Sequence, residues 1–136
     1  MNNLNLGFIG VGLMGLSLVK RLSNLDYKID AYDKNLKKLE PLKKISNVRL
    51  NHKASEVSRN NNIIILCVDK TESVKEVIFG KDGLVNNAKN DTIILDLSTT
   101  LADETINFAT QLKKKRELPG LTHQSQGVLT KHYREI

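Results

Sequence analysis

The sequence predicts an α/β domain with a mostly parallel sheet, and three observations predict it. Short apolar runs alternate with amphipathic helical stretches along most of the 136-residue chain, the rhythm of βαβ units. The first apolar run leads into three spaced glycines, Gly10, Gly12 and Gly15, where a strand must turn into a helix. The second run ends in an acid, Asp33, at the spacing of roughly 20 residues that separates a nucleotide-binding turn from its ribose-binding carboxylate.

Residues 4–9 carry Leu4, Leu6, Phe8 and Ile9 and read as a buried parallel strand. Gly10 permits the tight bend after it, Gly12 lets a pyrophosphate approach the backbone, and Gly15 lets the next helix lie close against the sheet. In that helix Met14, Leu18, Leu22 and Leu25 recur at helical spacing with Leu13 and Leu16 beside them, and this face is expected to cover the sheet. Residues 28–32 form the second strand. Residues 35–44, with Leu36, Leu39 and Leu42, read as a short helix that Pro41 must start or interrupt. A brief third strand over 48–50 precedes a helical turn over 55–59 and an asparagine loop at 60–62. The run Ile63-Ile-Ile-Leu-Cys-Val68 is apolar throughout and demands an interior strand buried on both faces. Asp69 or Thr71 then caps a helix whose apolar side is Val74, Val77 and Ile78, with Gly80 and Gly83 bounding the loop beyond. A small helical segment over 84–88 leads to a strand over 92–97. Ser98, Thr99 and Thr100 introduce a last helix that turns Ile106, Ala109 and Leu112 inward. No linker or internal repeat interrupts this order, so residues 1–112 read as one Rossmann-like domain and residues 113–136 as a divergent basic tail.

An apolar share of 40% is enough for a compact core at this length. No run reaches membrane-spanning length, and the first residues lack a signal peptide's apolar segment, so a cytoplasmic location without a membrane partner is the expectation. Cys67 is the one cysteine, has no internal disulfide partner, and reads as a small buried thiol. The net charge of +6 is uneven: residues 1–112 hold 15 Lys and Arg against 13 Asp and Glu, and residues 113–136 hold 6 against 2. The excess centres on Lys113-Lys-Lys-Arg116, which has no interleaved aromatic side chains for base stacking. It reads as the solvated end of the last helix, and no nucleic-acid partner is expected. His52, His123 and His132 share no metal-ligand spacing with one another or with Cys67.

In a sheet of this kind ligands lie beyond the carboxyl ends of the strands, where the strand order reverses. Three segments converge there: the glycine turn with Val11, Leu13 and Met14, then Cys67 and Val68 after the fourth strand, then Ser98 and Thr99 after the fifth. Exposed amides and the dipole at the first helix's start suit a pyrophosphate without any basic side chain. Asp33 suits the adenosine ribose hydroxyls and repels the additional phosphate of NADP, while Lys34, with Lys37 and Lys38, partly offsets that repulsion. NAD is therefore favoured over NADP. Val68 and Thr99 are the best placed of their segments to touch the nicotinamide side. Simpler roles compete: Asp33 also suits a cap on residues 35–44, Ser98 to Thr100 suit helix caps, and Asp69 suits an open surface.

Gly7-Phe-Ile-Gly-Val-Gly-Leu-Met-Gly15, Tyr32-Asp33, Leu66-Cys-Val68, Val77-Ile-Phe-Gly80, Gly83-Leu84 and Asp96-Leu-Ser-Thr99 together resemble the successive motifs of the β-hydroxyacid dehydrogenases, the 3-hydroxyisobutyrate and 6-phosphogluconate dehydrogenase superfamily. The likeness runs over residues 4–112 and is closer to the 3-hydroxyisobutyrate and 2-hydroxy-3-oxopropionate branch. It implies reversible oxidation of a small β-hydroxyacid by hydride transfer to a nicotinamide cofactor. It also implies that the glycine turn cradles the pyrophosphate, that the acid matching Asp33 marks NAD preference, and that Ser98 and Thr99 lie near the nicotinamide.

Past Leu112 the resemblance ends. The family continues into a sixth strand, a substrate-binding segment and a long helix with a catalytic lysine, and nothing in residues 113–136 matches these. Lys131 lies in a segment without a strand or helix to hold it against a reacting atom, so no catalytic residue is assigned. The expectation is an NAD(P)-binding domain truncated before or near its sixth strand, with its substrate domain absent from the chain. The alternative is a non-catalytic nucleotide-binding module that pairs with another chain, or with a second copy of itself, through the open sheet edge.

Overall fold

A computed structural model describes residues 4–116 apart from Asn90; of the expected tail over 113–136, residues 113–116 belong to the last helix and residues 117–136, with His123, Lys131 and His132, lie outside the described residues. Five strands, β1 (Asn5–Ile9), β2 (Lys28–Tyr32), β3 (Val48–Leu50), β4 (Ile63–Leu66) and β5 (Ile93–Asp96), form one sheet in the order β3-β2-β1-β4-β5. Every pairing is parallel, with Leu6 opposite Ile29 on one side and Ile63 on the other. The chain moves outward from β1 through β2 to β3, then returns to β1's other side as β4. That reversal opens a crevice at the carboxyl ends of β1 and β4.

The strands alternate their side chains between two cores, as strands covered on both faces must. Phe8, Ile29, Ala31 and Ile65 meet Val19 of helix α1 (Leu13–Ser23) and Leu39 and Leu42 of a 3-10 helix (Leu36–Leu42). On the other face Ile9, Ile64, Leu66 and Ile94 meet helices α2 (Ala54–Asn60), α3 (Thr71–Phe79), α4 (Leu84–Asn87) and α5 (Ala102–Arg116). Gly7 admits α2 to this face, since a Cβ there would lie 2.6 Å from Cγ1 of Val57. No helix among the described residues is long and apolar enough to cross a membrane.

Four expectations about local packing need correction. The fully buried residues of α1 are Gly15, Val19 and Ser23, because the sheet contact requires the residue without a side chain to face inward; of the expected row, Leu18 and Leu22 pack half-buried beside them together with Leu16, and only the two ends fail. Met14 and Leu25 are exposed. The short helix expected over 35–44 is present as the 3-10 helix Leu36–Leu42, but Pro41 neither starts nor interrupts it; it lies inside, where the missing N–H is tolerated in a short, tightly wound segment. Neither Asp69 nor Thr71 is the N-cap of α3, a position held by Lys70; Asp69 Oδ1 instead accepts from the Ser73 hydroxyl at 2.8 Å. On α5 the inward residues are Thr105, Phe108 and Leu112, while Ile106 is exposed. The aromatic ring decides that phase by packing on Phe79 with centroids 5.8 Å apart.

At the amino end of the sheet, the largely buried Asp30 carboxylate accepts two bonds from Arg49, at 2.7 and 2.6 Å, and one from Asn61 at 2.9 Å. This network ties β2 to β3 and to the end of α2. A cleft of about 380 Å3 beside it is lined by Asn5, Lys28, Asp30, Asn47 and Arg49 among others. Both lie away from the carboxyl-end crevice.

Candidate functional site

The crevice is built first by the glycine turn. Gly10 has φ +101°, a left-handed conformation that favours glycine, and its N–H donates to the Tyr32 carbonyl at 2.9 Å. A Cβ on Gly10 would lie 2.2 Å from the Cys67 carbonyl oxygen and 2.9 Å from Cγ1 of Val68, so the turn is in contact with the end of β4. A Cβ on Gly15 would lie 2.0 Å from the Gly10 carbonyl oxygen. Gly12 differs from both. It is the N-cap of α1 with φ −76° and ψ −163°, a conformation open to any residue, and a Cβ there would meet nothing within 4 Å. The chain's own packing therefore supplies no steric reason for glycine at 12, whereas a ligand lying against the backbone would supply one.

No side chain caps α1, so the first amides of this 11-residue helix have no intrahelical acceptor and face the crevice mouth. Leu13 is 93% exposed and Met14 64%. Two large apolar side chains left in water beside unpaired amides make a surface with both a polar and an apolar partner to offer.

Asp33 borders the turn on the β2 side. Its Oδ2 accepts from the Val11 N–H at 2.7 Å, and its Oδ1 accepts from the Asn35 N–H at 2.8 Å. The residue is buried, and one side chain thereby pins the glycine turn to the segment after β2. Asp33 is not the cap of the segment after β2, a role taken by Asn35, whose Oδ1 accepts from the Lys37 N–H at 3.2 Å; Asp33 holds the backbone of that cap, and each of its carboxylate oxygens can accept more than one hydrogen bond. Lys34 is exposed and reaches across to α3, where its Nζ lies 3.2 Å from Oε2 of Glu76. Glu76 carries no sequence signal, since it lies on the exposed face of a helix 42 positions away.

On the other side of the crevice the ladder continues one residue past the strands. Cys67 N–H donates to the Ile9 carbonyl at 2.8 Å, and Leu97 N–H donates to the Leu66 carbonyl at 2.8 Å. Ser98 is a link between loops, since its Oγ accepts from the Val68 N–H at 2.9 Å while its own N–H donates to Asp96 Oδ1 at 2.9 Å. Cys67, Val68 and Ser98 are thus half-buried neighbours of the turn, and Thr99 stands exposed beyond them.

Burial pushes the Asp96 carboxyl above its ordinary range, against the opposing pull of its hydrogen bonds to Ser98. A carboxyl raised by folding stabilises the fold below its unfolded-state range, and that contribution is lost as the pH rises through the folded value. Asp96→Asn stays neutral and keeps the acceptor for Ser98. It should therefore raise the Tm by a few degrees at neutral pH, with the gain vanishing in acid. Burial, and secondarily the Asp96 charge, also push the Cys67 thiol up. The same variant should be alkylated at Cys67 at lower pH than wild type. A Tm difference independent of pH would refute this account of Asp96.

This donor set fits a dinucleotide. Backbone amides at the start of α1 and the open face of Gly12 would hold a pyrophosphate, Asp33 would hold ribose hydroxyls, and the Cys67–Val68 and Ser98–Thr99 loops border the far side. The family model described as the NAD binding domain of 6-phosphogluconate dehydrogenase matches residues 5–118. The chain belongs to this family. The NAD-binding domain is 27% identical over 110 residues to the uncharacterized oxidoreductase YkwC of Bacillus subtilis (strain 168), a match covering 81% of the chain and 38% of that protein. Its fold is similar to that of Psf3 in complex with NADP+ and 2-OPP, with a TM-score of 0.75, 21% identity, and coverage of 81% of the chain and 39% of that protein. It is also similar in fold to the 3-hydroxyisobutyrate dehydrogenase of Salmonella typhimurium, with a TM-score of 0.72, 18% identity, and coverage of 83% and 39%. The NAD-binding domain thus spans under two fifths of the length of these proteins.

Proposed function

We propose that the chain binds NAD in preference to NADP and serves hydride transfer to and from a small β-hydroxyacid. The observation that carries this reading is the Gly12 cradle at the uncapped start of α1, with the buried Asp33 carboxylate tied to the same turn through Val11. Gly10, Val11, Gly12, Leu13 and Met14 take the pyrophosphate, Asp33 and Lys34 border the adenosine ribose, and Cys67, Val68, Ser98 and Thr99 border the nicotinamide side. When bound, the nicotinamide ring supplies the hydride acceptor. The hydroxyacid-binding groups and the proton acceptor come from a substrate domain or from a second copy of the chain. The edge of β5 supports that docking: among the described residues β5 pairs with β4 alone, and Ile93, Leu97, Leu101 and Ile106 are exposed beside it.

Titration calorimetry with NADH and NADPH tests the cofactor assignment. The Asp33 carboxylate faces an additional phosphate at close range, and the expected preference for NADH is about 10-fold, or about 1.4 kcal/mol. Tighter binding of NADPH would reverse the assignment, and binding of neither would remove it.

A further inference from the structure

We propose that Glu76 is a cofactor-selecting residue that acts by occupying Lys34. The inference rests on the reading of the crevice as a dinucleotide site, and adds to it a group on the opposite wall.

Lys34 directly follows Asp33, and its ammonium is the cation nearest in sequence to the carboxylate assigned to the ribose. It turns away from the turn and crosses to α3, where it meets Glu76 at 3.2 Å. The side chains are 82% and 65% exposed, so packing does not hold them together; charge does. Such a pair is weak and salt-sensitive, and either partner exchanges readily for a better one. Tyr32 locates the pair relative to the site. Its hydroxyl, at the end of β2, is pushed up by burial, then by the charges of Asp33 and Glu76, and is pulled back by Lys34, so the pair and the carboxylate act on the same group.

The two dinucleotides make different demands on this arrangement. An adenosine ribose with free hydroxyls needs Asp33 and leaves the Lys34–Glu76 pair intact. A ribose phosphate needs Lys34, so the ammonium must leave Glu76. The abandoned carboxylate then faces a group carrying between one and two negative charges of its own. Glu76 disfavours NADPH twice, by holding the cation and by repelling the phosphate, and does neither to NADH. Lys34 is a suitable phosphate ligand, but one already committed elsewhere.

Glu76→Gln keeps the shape and helix preference of the side chain and removes its charge. Measured by calorimetry at low salt on the full chain, it should tighten NADPH binding about 5-fold while changing NADH binding less than 2-fold, a size set by an exposed charge pair. In the Lys34→Ala background the same substitution should change the ratio of the two affinities less than 2-fold. The wild-type to Glu76→Gln difference should also shrink as salt is raised. Wild type that binds a dinucleotide, with an affinity ratio unchanged by Glu76→Gln, overturns the role of Glu76 and leaves the cofactor reading standing. An undiminished effect in the Lys34→Ala background overturns competition for Lys34. Wild type that binds neither dinucleotide overturns the cofactor reading and this proposal together.

Discussion

Gly12→Ala should leave the fold intact and weaken cofactor binding, whereas Gly10→Ala and Gly15→Ala should destabilise the fold that binding requires. The three glycines separate because only two are needed by the chain itself. An alanine methyl at 10 meets the Cys67 carbonyl at 2.2 Å in a left-handed backbone, and one at 15 meets the Gly10 carbonyl at 2.0 Å. Both obstacles are backbone atoms, which cannot swing aside, and each substitution is expected to cost about 3 kcal/mol or more. At 12 the methyl enters open space, and the loss is confined to the poorer N-cap quality of alanine, about 1 kcal/mol at most. The methyl then stands between the backbone and the pyrophosphate, and NADH affinity should fall about 100-fold, equivalent to about 2.7 kcal/mol. Thermal unfolding and NADH titration on the three variants check this directly. A Gly12→Ala chain that binds NADH as wild type does would mean that the turn is not the cradle.

Asp33→Ala should damage stability and binding together. Two backbone amides, those of Val11 and Asn35, lose a charged acceptor, and the substitution is expected to destabilise the chain by about 2–4 kcal/mol. Asp33→Asn retains one acceptor oxygen and should lose about half as much. NADH affinity should fall in both, because the ribose acceptor is altered and the turn is released. NADPH affinity should fall less, since the repelling charge goes as well, and the preference between the two cofactors should narrow. Unfolding in urea followed by titration of the variants below their Tm separates the two losses. An Asp33→Ala chain as stable as wild type would contradict the bonds described here, and an unchanged cofactor preference would contradict the ribose assignment.

Much of the scaffold was legible before any tertiary contact was known. β2 and β3 lie where the apolar runs and their turn residues put them, and β4 is an interior strand as its unbroken Ile-rich run demands. Helix phases were less legible. The row from Met14 to Leu25 looks like the inner face of α1 by periodicity, but a helix begun at a glycine turn must present Gly15 to the sheet, and a glycine contributes nothing to an apolar pattern. Spacing assigns Ile106, Ala109 and Leu112 to the inner face of α5 and passes over Phe108, which packs on Phe79 of α3 and leaves Ile106 exposed.

The site divides in the same way. The spaced glycines and the acid at the end of β2 are local in sequence, because a strand, a turn and a helix are consecutive, and their spacing alone places a phosphate-binding turn beside a carboxylate. That much the sequence determined by itself, along with the parallel α/β fold and the family to which the chain belongs. The tertiary structure decided which glycines the fold itself needs, since Gly10 and Gly15 lie against backbone carbonyls and Gly12 faces open space. It decided that Asp33 binds both the turn and the segment after β2, and that Ser98 serves Val68 rather than a helix end. It also brought Glu76 to Lys34. Each of these contacts joins residues that neither periodicity nor spacing relates. The reversal of strand order between β1 and β4 folds separate βα units against one crevice, and only there do their loops acquire a common chemistry.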